Sequence, residues 1–181
     1  AVPPLAFCDP ASSGGIAVDM GIHEFDLARW LMDDDITEVH AFGSNLVEPG
    51  LEHVGDVGTC IISMRFASGA IGTVELARRV GYAEDVRTEV VGTTGSVMVG
   101  MLPASHSAFA SHGQIASDLP PSAFTRFRPA LVGQLQAFCD AVLDDREVHP
   151  SGADSLAPLA AGIASRLSLE QGRPVVLDSS G

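Results

Sequence analysis

The sequence predicts an α+β domain in which helices pack on one face of a largely antiparallel, open-faced sheet. Apolar residues recur with helical spacing near both ends of the chain, whereas the region between them alternates with the period of strands. Short turns containing glycine separate several candidate strands, which favours hairpins and therefore antiparallel pairing. No glycine-rich phosphate loop of the form G-x-G-x-x-G or G-x-x-x-x-G-K occurs, so a nucleotide-binding Rossmann unit is not expected in this chain.

The first expected element is a helix over about residues 15–32, with apolar side chains from Ile16 to Leu31 and an end at Asp33. Strands follow, separated by turns such as Ser68-Gly69 and Thr94-Gly95. Their expected ranges are 36–47, 56–67, 70–79, 86–91 and 96–101.

The carboxyl-terminal third is expected to be helical after a long surface loop over residues 103–121. One helix is expected to carry Pro129 in its first turn. A second begins at a Ser151-x-x-Asp154 capping box and ends at Gly172. A short strand over 175–177 completes the order.

Composition limits the classes of function. Of the 181 residues, 46% are hydrophobic and 18% are charged, which is enough apolar material for a folded core. The net charge of −13 repels phosphate backbones and anionic lipids, so we expect neither nucleic acid nor a membrane as partner. All ten basic residues are Arg, which removes any catalytic lysine. The three cysteines form no C-x-x-C pair, which favours a reducing, cytoplasmic location.

Four side chains mark one stripe on the first helix, because Asp19, His23, Asp26 and Trp30 lie at i, i+4, i+7 and i+11. The remaining sides are apolar, so we expect the helix and its titratable groups to be buried, as catalytic acids and bases often are. From spacing alone, the more conservative interpretation is structural: Asp19, His23 and Asp26 would form hydrogen bonds with another element of the fold. A metal pair would need a third ligand, and we expect no metal.

The stripe lies within a longer pattern, SGGIAVDMGIHEFDLARWL over 13–31, which resembles the signature of the Gfo/Idh/MocA oxidoreductases and especially their myo-inositol 2-dehydrogenase branch. Downstream segments such as GDVGTCIISMRFASGAIG and SGADSLAPLAAGIASRLSLEQGRPVVL agree in order. The resemblance covers nearly the whole chain but only the C-terminal, substrate-binding half of that family. The Rossmann half, with its catalytic lysine, is absent.

The resemblance implies roles for the residues of this pattern. His23 becomes the proton acceptor in oxidation of a secondary alcohol, and Asp19 binds the substrate or orients the imidazole. Asp26 and Arg29 are interpreted as a structural ion pair, and Trp30 as an aromatic anchor.

Further positions follow from the same resemblance. Gly14 and Gly15, which lack side chains, would let the backbone approach the nicotinamide end of the cofactor. Arg78, Arg79 and Tyr82 match a stretch beside the substrate, and Arg79 and Tyr82 are the expected substrate contacts, although two charges at a strand end are more often a solvated edge. Leu76 stands where many inositol dehydrogenases have Asn, so a polyol or sugar other than inositol remains an alternative.

We therefore expect residues 1–14 to be a lead-in from a missing N-terminal domain. Residues 15–181 would form the substrate-binding, catalytic and oligomerisation domain of a polyol or sugar dehydrogenase that uses NAD or NADP. Self-association is expected through the open sheet face. The alternative is a non-catalytic binding or assembly module derived from the same domain.

Overall fold

A computed structural model describes the chain in two compact units. The first unit comprises residues 1–79 and 150–181, and the second comprises residues 80–149. The described residues are 4–82, 85–100, 107–119 and 122–177.

Six α-helices, one 3-10 helix and eight strands occur in the described part of the chain. In chain order they are α1 (Leu5–Cys8), α2 (Pro10–Ser13), α3 (Ile16–Asp19), α4 (Gly21–Met32), β1 (Ile36–Ser44), the 3-10 helix (Pro49–Val54), β2 (Thr59–Phe66), β3 (Ile71–Ala77), β4 (Thr88–Val91), β5 (Ser96–Val99), β6 (Ala108–Ser111), β7 (Gln114–Ser117), α5 (Ala123–Leu143), α6 (Leu156–Gln171) and β8 (Val175–Val176).

The sheet of the first unit has the strand order β3-β2-β1-β8, and every neighbouring pair is antiparallel. Alternate residues of β2 are buried beneath the helices, namely Cys60, Ile62, Met64 and Phe66. Residues of α3, α4 and α6 complete this core. The predicted α+β class, with helices on one face of an antiparallel sheet, is confirmed.

The opposite sheet face carries a mixed surface. Phe42, Ile61, Ile71 and Val176 are 47% to 77% exposed on it. Polar residues also lie on this face. Ile61 pairs with Phe42 on one side and with the charged Glu75 on the other. This surface, defined by the four apolar residues, is called the open face below.

The predicted helix over 15–32 is divided in two. Met20 separates α3 from α4 with φ −100° and ψ −43°, a distortion of ordinary helical geometry. The expected end is confirmed, because Asp33 takes a left-handed conformation at φ 47° and its N–H donates to the Arg29 carbonyl.

The second unit contains the hairpins β4-β5 and β6-β7 together with α5. The hairpin β6-β7 corrects the expectation of an irregular loop over 103–121, of which positions 103–106, 120 and 121 lie outside the described residues. Its turn is His112-Gly113, and both residues have positive φ, at 51° and 76°. Helix α5 begins after the Ser122 cap rather than near Pro129, which lies inside the helix.

The capping box before α6 forms as predicted. The Ser151 N–H donates to Asp154 Oδ2 at 2.6 Å, and the Asp154 N–H donates to Ser151 Oγ at 3.3 Å. The helix itself begins later, at Leu156, and ends at Gly172 with φ 63°. The last predicted strand appears as β8.

The amino-terminal residues pack as part of the first unit. Cys8 is fully buried, and Asp9 Oδ1 accepts a hydrogen bond from the Ala11 N–H at the start of α2. The origin of residues 1–14 in a preceding domain stays a prediction. Within the described residues, no helix is both long and apolar enough to cross a membrane.

Candidate active site

Two glycines turn the chain from α2 into α3. Gly14 and Gly15 have φ of 81° and 75°, values that a residue with a side chain rarely adopts. A Cβ on Gly14 would lie 2.6 Å from Val18 Cβ, and a Cβ on Gly15 would lie 3.0 Å from Asp56 Oδ1. The fold itself therefore requires both glycines, and their approach to a cofactor stays a prediction.

A buried carboxylate fixes the start of α3. Asp56 lies just before β2 and is 6% exposed, and its Oδ1 accepts a hydrogen bond from the Ile16 N–H at 3.1 Å. The first amide of a helix has no partner within the helix, so a side chain from elsewhere satisfies it here. This bond ties α3 to the segment that leads into β2.

The Arg78 side chain joins Asp56 to Asp19. Its Nε and Nη2 donate to Asp56 Oδ2 at 3.1 and 2.8 Å, and its Nη1 donates to Asp19 Oδ2 at 3.1 Å. The side chain of Arg78 is 1% exposed. We call Asp19, Asp56 and Arg78 the Arg78 network.

Two opposing effects act on the Arg78 guanidinium. Burial works to lower its pKa, whereas the hydrogen bonds and charges of Asp56, with a further hydrogen bond to Asp19, work to raise it. The carboxylates outweigh burial, so the pKa of Arg78 lies above its ordinary value. The guanidinium is therefore a permanent positive charge inside the fold.

Asp19 and His23 lie one turn apart at the surface of the first unit. The Asp19 side chain is 24% exposed, and His23 is exposed. Among the described residues no hydrogen bond joins the two side chains. The expectation that the stripe is buried is wrong, since Asp26 is also exposed and Trp30 is 76% exposed.

Two structural roles assigned from the stripe are corrected. Arg29 pairs with Asp35, with Nη2 2.6 Å from Oδ1, rather than with Asp26. The turn at Asp33 brings Asp35 back to the end of α4, which explains this choice of partner. Trp30 contributes no buried anchor to the described fold.

A partly buried carboxyl group lies beside the candidate base. Burial raises the pKa of Glu24, and the charge of the neighbouring His23 works in the opposite direction. Glu24 directly follows His23 in the sequence, so their interaction comes from adjacency rather than from the helical spacing of the stripe.

The two predicted substrate contacts each have a polar partner within their own unit. Arg79 is exposed, and its Nη1 lies 2.8 Å from Glu48 Oε1. Tyr82 belongs to the second unit, where its hydroxyl donates to Asp85 Oδ2. Their roles toward a substrate stay predictions.

Strand alternation could have identified Arg78 in place of Arg79. Val74 and Leu76 are the buried residues of β3, and Arg78 continues their phase just after the strand. Leu76, at the position that departs from many inositol dehydrogenases, is 4% exposed and belongs to the core.

A metal ion would need acidic and histidine side chains gathered in one cluster. No group of three His, Cys, Asp or Glu that could hold a metal ion occurs among residues 4–82, 85–100, 107–119 and 122–177. Both oxygens of Asp56 are occupied by Ile16 and Arg78. His40 lies beside Phe42, with ring centroids 4.4 Å apart.

A small cleft opens beside the glycine turn. It encloses about 150 Å³, and its lining includes Gly14, Gly15, Asp56, Arg166 and Glu170. Pockets that hold drug-sized ligands typically enclose about 300 Å³ or more. The cleft is therefore too small to hold a dinucleotide by itself. Outside the cleft, His23 and Asp19 have the polar chemistry needed to bind a substrate hydroxyl.

Comparison with known proteins identifies the family. The chain is 38% identical over 176 residues to scyllo-inositol 2-dehydrogenase (NAD(+)) of Bacillus subtilis, an alignment covering 97% of this chain and 51% of that protein. A crystal structure of a probable dehydrogenase from Thermotoga maritima matches with a TM-score of 0.91 and 34% identity, over 97% of this chain and 53% of that one. A Lactobacillus casei scyllo-inositol dehydrogenase, crystallised with NAD(H) and scyllo-inositol, matches with a TM-score of 0.88 and 26% identity, over 95% and 51% of the two chains.

The chain thus spans about half the length of the curated relatives it matches. The family model for the GFO/IDH/MocA C-terminal domain matches residues 2–98. The chain belongs to the GFO/IDH/MocA family and corresponds to its C-terminal domain.

Proposed function

We propose that this chain is the substrate-binding and catalytic half of an NAD-dependent dehydrogenase that oxidises a secondary alcohol of a cyclic polyol such as inositol. The observation that carries the proposal is the pair formed by an exposed histidine, His23, and a carboxylate one turn earlier, Asp19, which Arg78 holds. The relatives named for inositol oxidation support the choice of substrate class.

The chemistry follows from the atoms that remain available. His23 accepts the proton of the hydroxyl that is oxidised, since an imidazole exchanges protons near neutral pH. Asp19 Oδ2 is bonded to Arg78, whereas Oδ1 accepts no hydrogen bond from the described residues. That oxygen is available to a substrate hydroxyl. NAD, when bound, would accept the hydride from the carbon that bears the oxidised hydroxyl.

We assign the cofactor as NAD because one relative is named for NAD(+) and one solved neighbour contains NAD(H). The dinucleotide would be held mainly by an N-terminal half, because this sequence contains no glycine-rich phosphate loop. Gly14 and Gly15 would face its nicotinamide end. Arg79 and Tyr82 remain the proposed further contacts of the polyol.

Self-association through the open face is part of the proposal. Phe42, Ile61, Ile71 and Val176 place apolar area on a sheet whose other side is covered by helices. Burying such a surface against a second copy is favourable, and pairing about a two-fold axis is the commonest arrangement. A cytoplasmic location accords with three free cysteines.

A substrate panel tests the function directly. The chain, joined to its N-terminal half as one protein, is assayed for NAD reduction with myo-inositol, scyllo-inositol and several aldoses and linear polyols. The proposal predicts turnover with a cyclic polyol. Absence of turnover across the panel, from a folded protein that binds NAD, would favour the binding or assembly module instead.

A further inference from the structure

The Arg78 network places two carboxylates and one guanidinium at the boundary between the core and the candidate site. Its members come from the end of α3, the segment before β2 and the residue after β3. Replacing a buried ion pair by apolar residues is often neutral or stabilising, so stability alone does not explain such a cluster. Its contact with Asp19 suggests a function beyond folding.

We infer that Arg78 and Asp56 are positioning residues that fix Asp19 for the substrate, an inference that rests on the proposed function. Arg78 has a planar fork of donors, and two of them, Nε and Nη2, contact the same oxygen of Asp56. These bonds set the plane of the guanidinium. The direction of Nη1, and with it the position of Asp19 Oδ2, is then determined.

Asp56 holds the same short helix at its other end. Its Oδ1 receives the Ile16 N–H, and Ile16 and Asp19 are the first and last residues of α3. Asp56 therefore fixes α3 at both ends. It binds the backbone N–H of Ile16 directly, and it holds the side chain of Asp19 by way of Arg78. Gly15 makes this close approach possible, because a Cβ there would lie 3.0 Å from Asp56 Oδ1.

The arrangement leaves one oxygen of Asp19 for the substrate. Oδ2 is held by Arg78, and an ionised carboxylate only accepts hydrogen bonds. Asp19 is therefore presented as a rigid acceptor for a hydroxyl next to His23. A lysine at position 78 would retain the charge but could not reproduce the fork.

A double-mutant cycle tests whether Arg78 acts through Asp19. In the full-length dehydrogenase, kcat and KM are measured for Arg78→Lys, Asp19→Asn and the double variant, with long assays at high enzyme concentration for the slower proteins. Arg78→Lys should lower kcat/KM by about 10- to 100-fold in the otherwise unaltered protein, as expected for a misplaced group. In the Asp19→Asn background the same change should cost less than about 3-fold, since interacting residues are not additive.

Controls separate positioning from loss of fold. Arg146→Lys alters an exposed arginine that is 3.1 Å from Asp144, and it should change kcat/KM by less than about 2-fold. If Arg78→Lys does not fold, Asp56→Asn takes its place in the cycle, because its amide oxygen can still accept the Ile16 N–H.

Each outcome decides the inference. Coupling between the two positions supports it. An Arg78→Lys effect of equal size in both backgrounds, or no effect at all, overturns it while leaving the proposed function intact. A full-length protein without activity on any polyol overturns the proposed function, and this inference with it.

Discussion

Replacing His23 with Ala in the full-length protein separates catalysis from stability more cleanly than any other single change. His23 is exposed and is not part of the hydrophobic core, so its loss should alter the free energy of unfolding by less than about 0.5 kcal/mol. Loss of a general base typically costs about 10²- to 10⁴-fold in rate. In activation free energy this is about 2.7 to 5.4 kcal/mol. The two effects should therefore differ by several-fold in energy.

The assay is NAD reduction with the best polyol of the panel, accompanied by a thermal unfolding curve of each variant. His53→Ala is the matched control, because His53 is also exposed but lies in the 3-10 helix. We expect kcat to fall only in His23→Ala, with both melting temperatures close to that of the unaltered protein. Unchanged turnover in His23→Ala would remove this residue from the mechanism.

Three further measurements test other parts of the interpretation. The isolated chain should bind NAD more weakly than about 1 mM in calorimetry, equivalent to about 4 kcal/mol, and saturable tighter binding would contradict the division of labour between the two halves. Phe42→Glu should shift the species seen by light scattering from oligomer toward monomer, and a strictly monomeric unaltered protein would exclude the open face as an interface. In the folded chain a thiol reagent should modify Cys139, which is exposed, but not Cys60, whose pKa burial raises to about 12. Rapid modification of Cys60 would show that this part of the core opens.

Local patterns in the sequence were enough to predict the sheet and its covering helices. Alternation in β2 and the caps at Asp33 and Gly172 are short-range features, and each appears in the structure. The hairpin at His112-Gly113 was missed because its turn carries histidine where Asn or Asp is more usual.

The candidate site was predictable only in part, for a physical reason. Helical spacing placed Asp19 and His23 one turn apart, but it gave no information about which side of the helix faces the core. The contact that fixes Asp19 is the ion pair with Arg78, which joins residues 59 positions apart. Such a contact depends on how β3 lies against α3, which no local pattern records.

The break at Met20 also gives the two polar groups different supports. Asp19 is attached to the sheet through Arg78, whereas His23 is carried by α4. A small tilt of α4 about Met20 would move the imidazole and leave the carboxylate where it is. Substitutions of buried residues of α4, such as Phe25, should therefore change the spacing between His23 and Asp19 without altering the Arg78 network. Under the proposed function, such changes would alter which polyol ring shapes fit between the two groups.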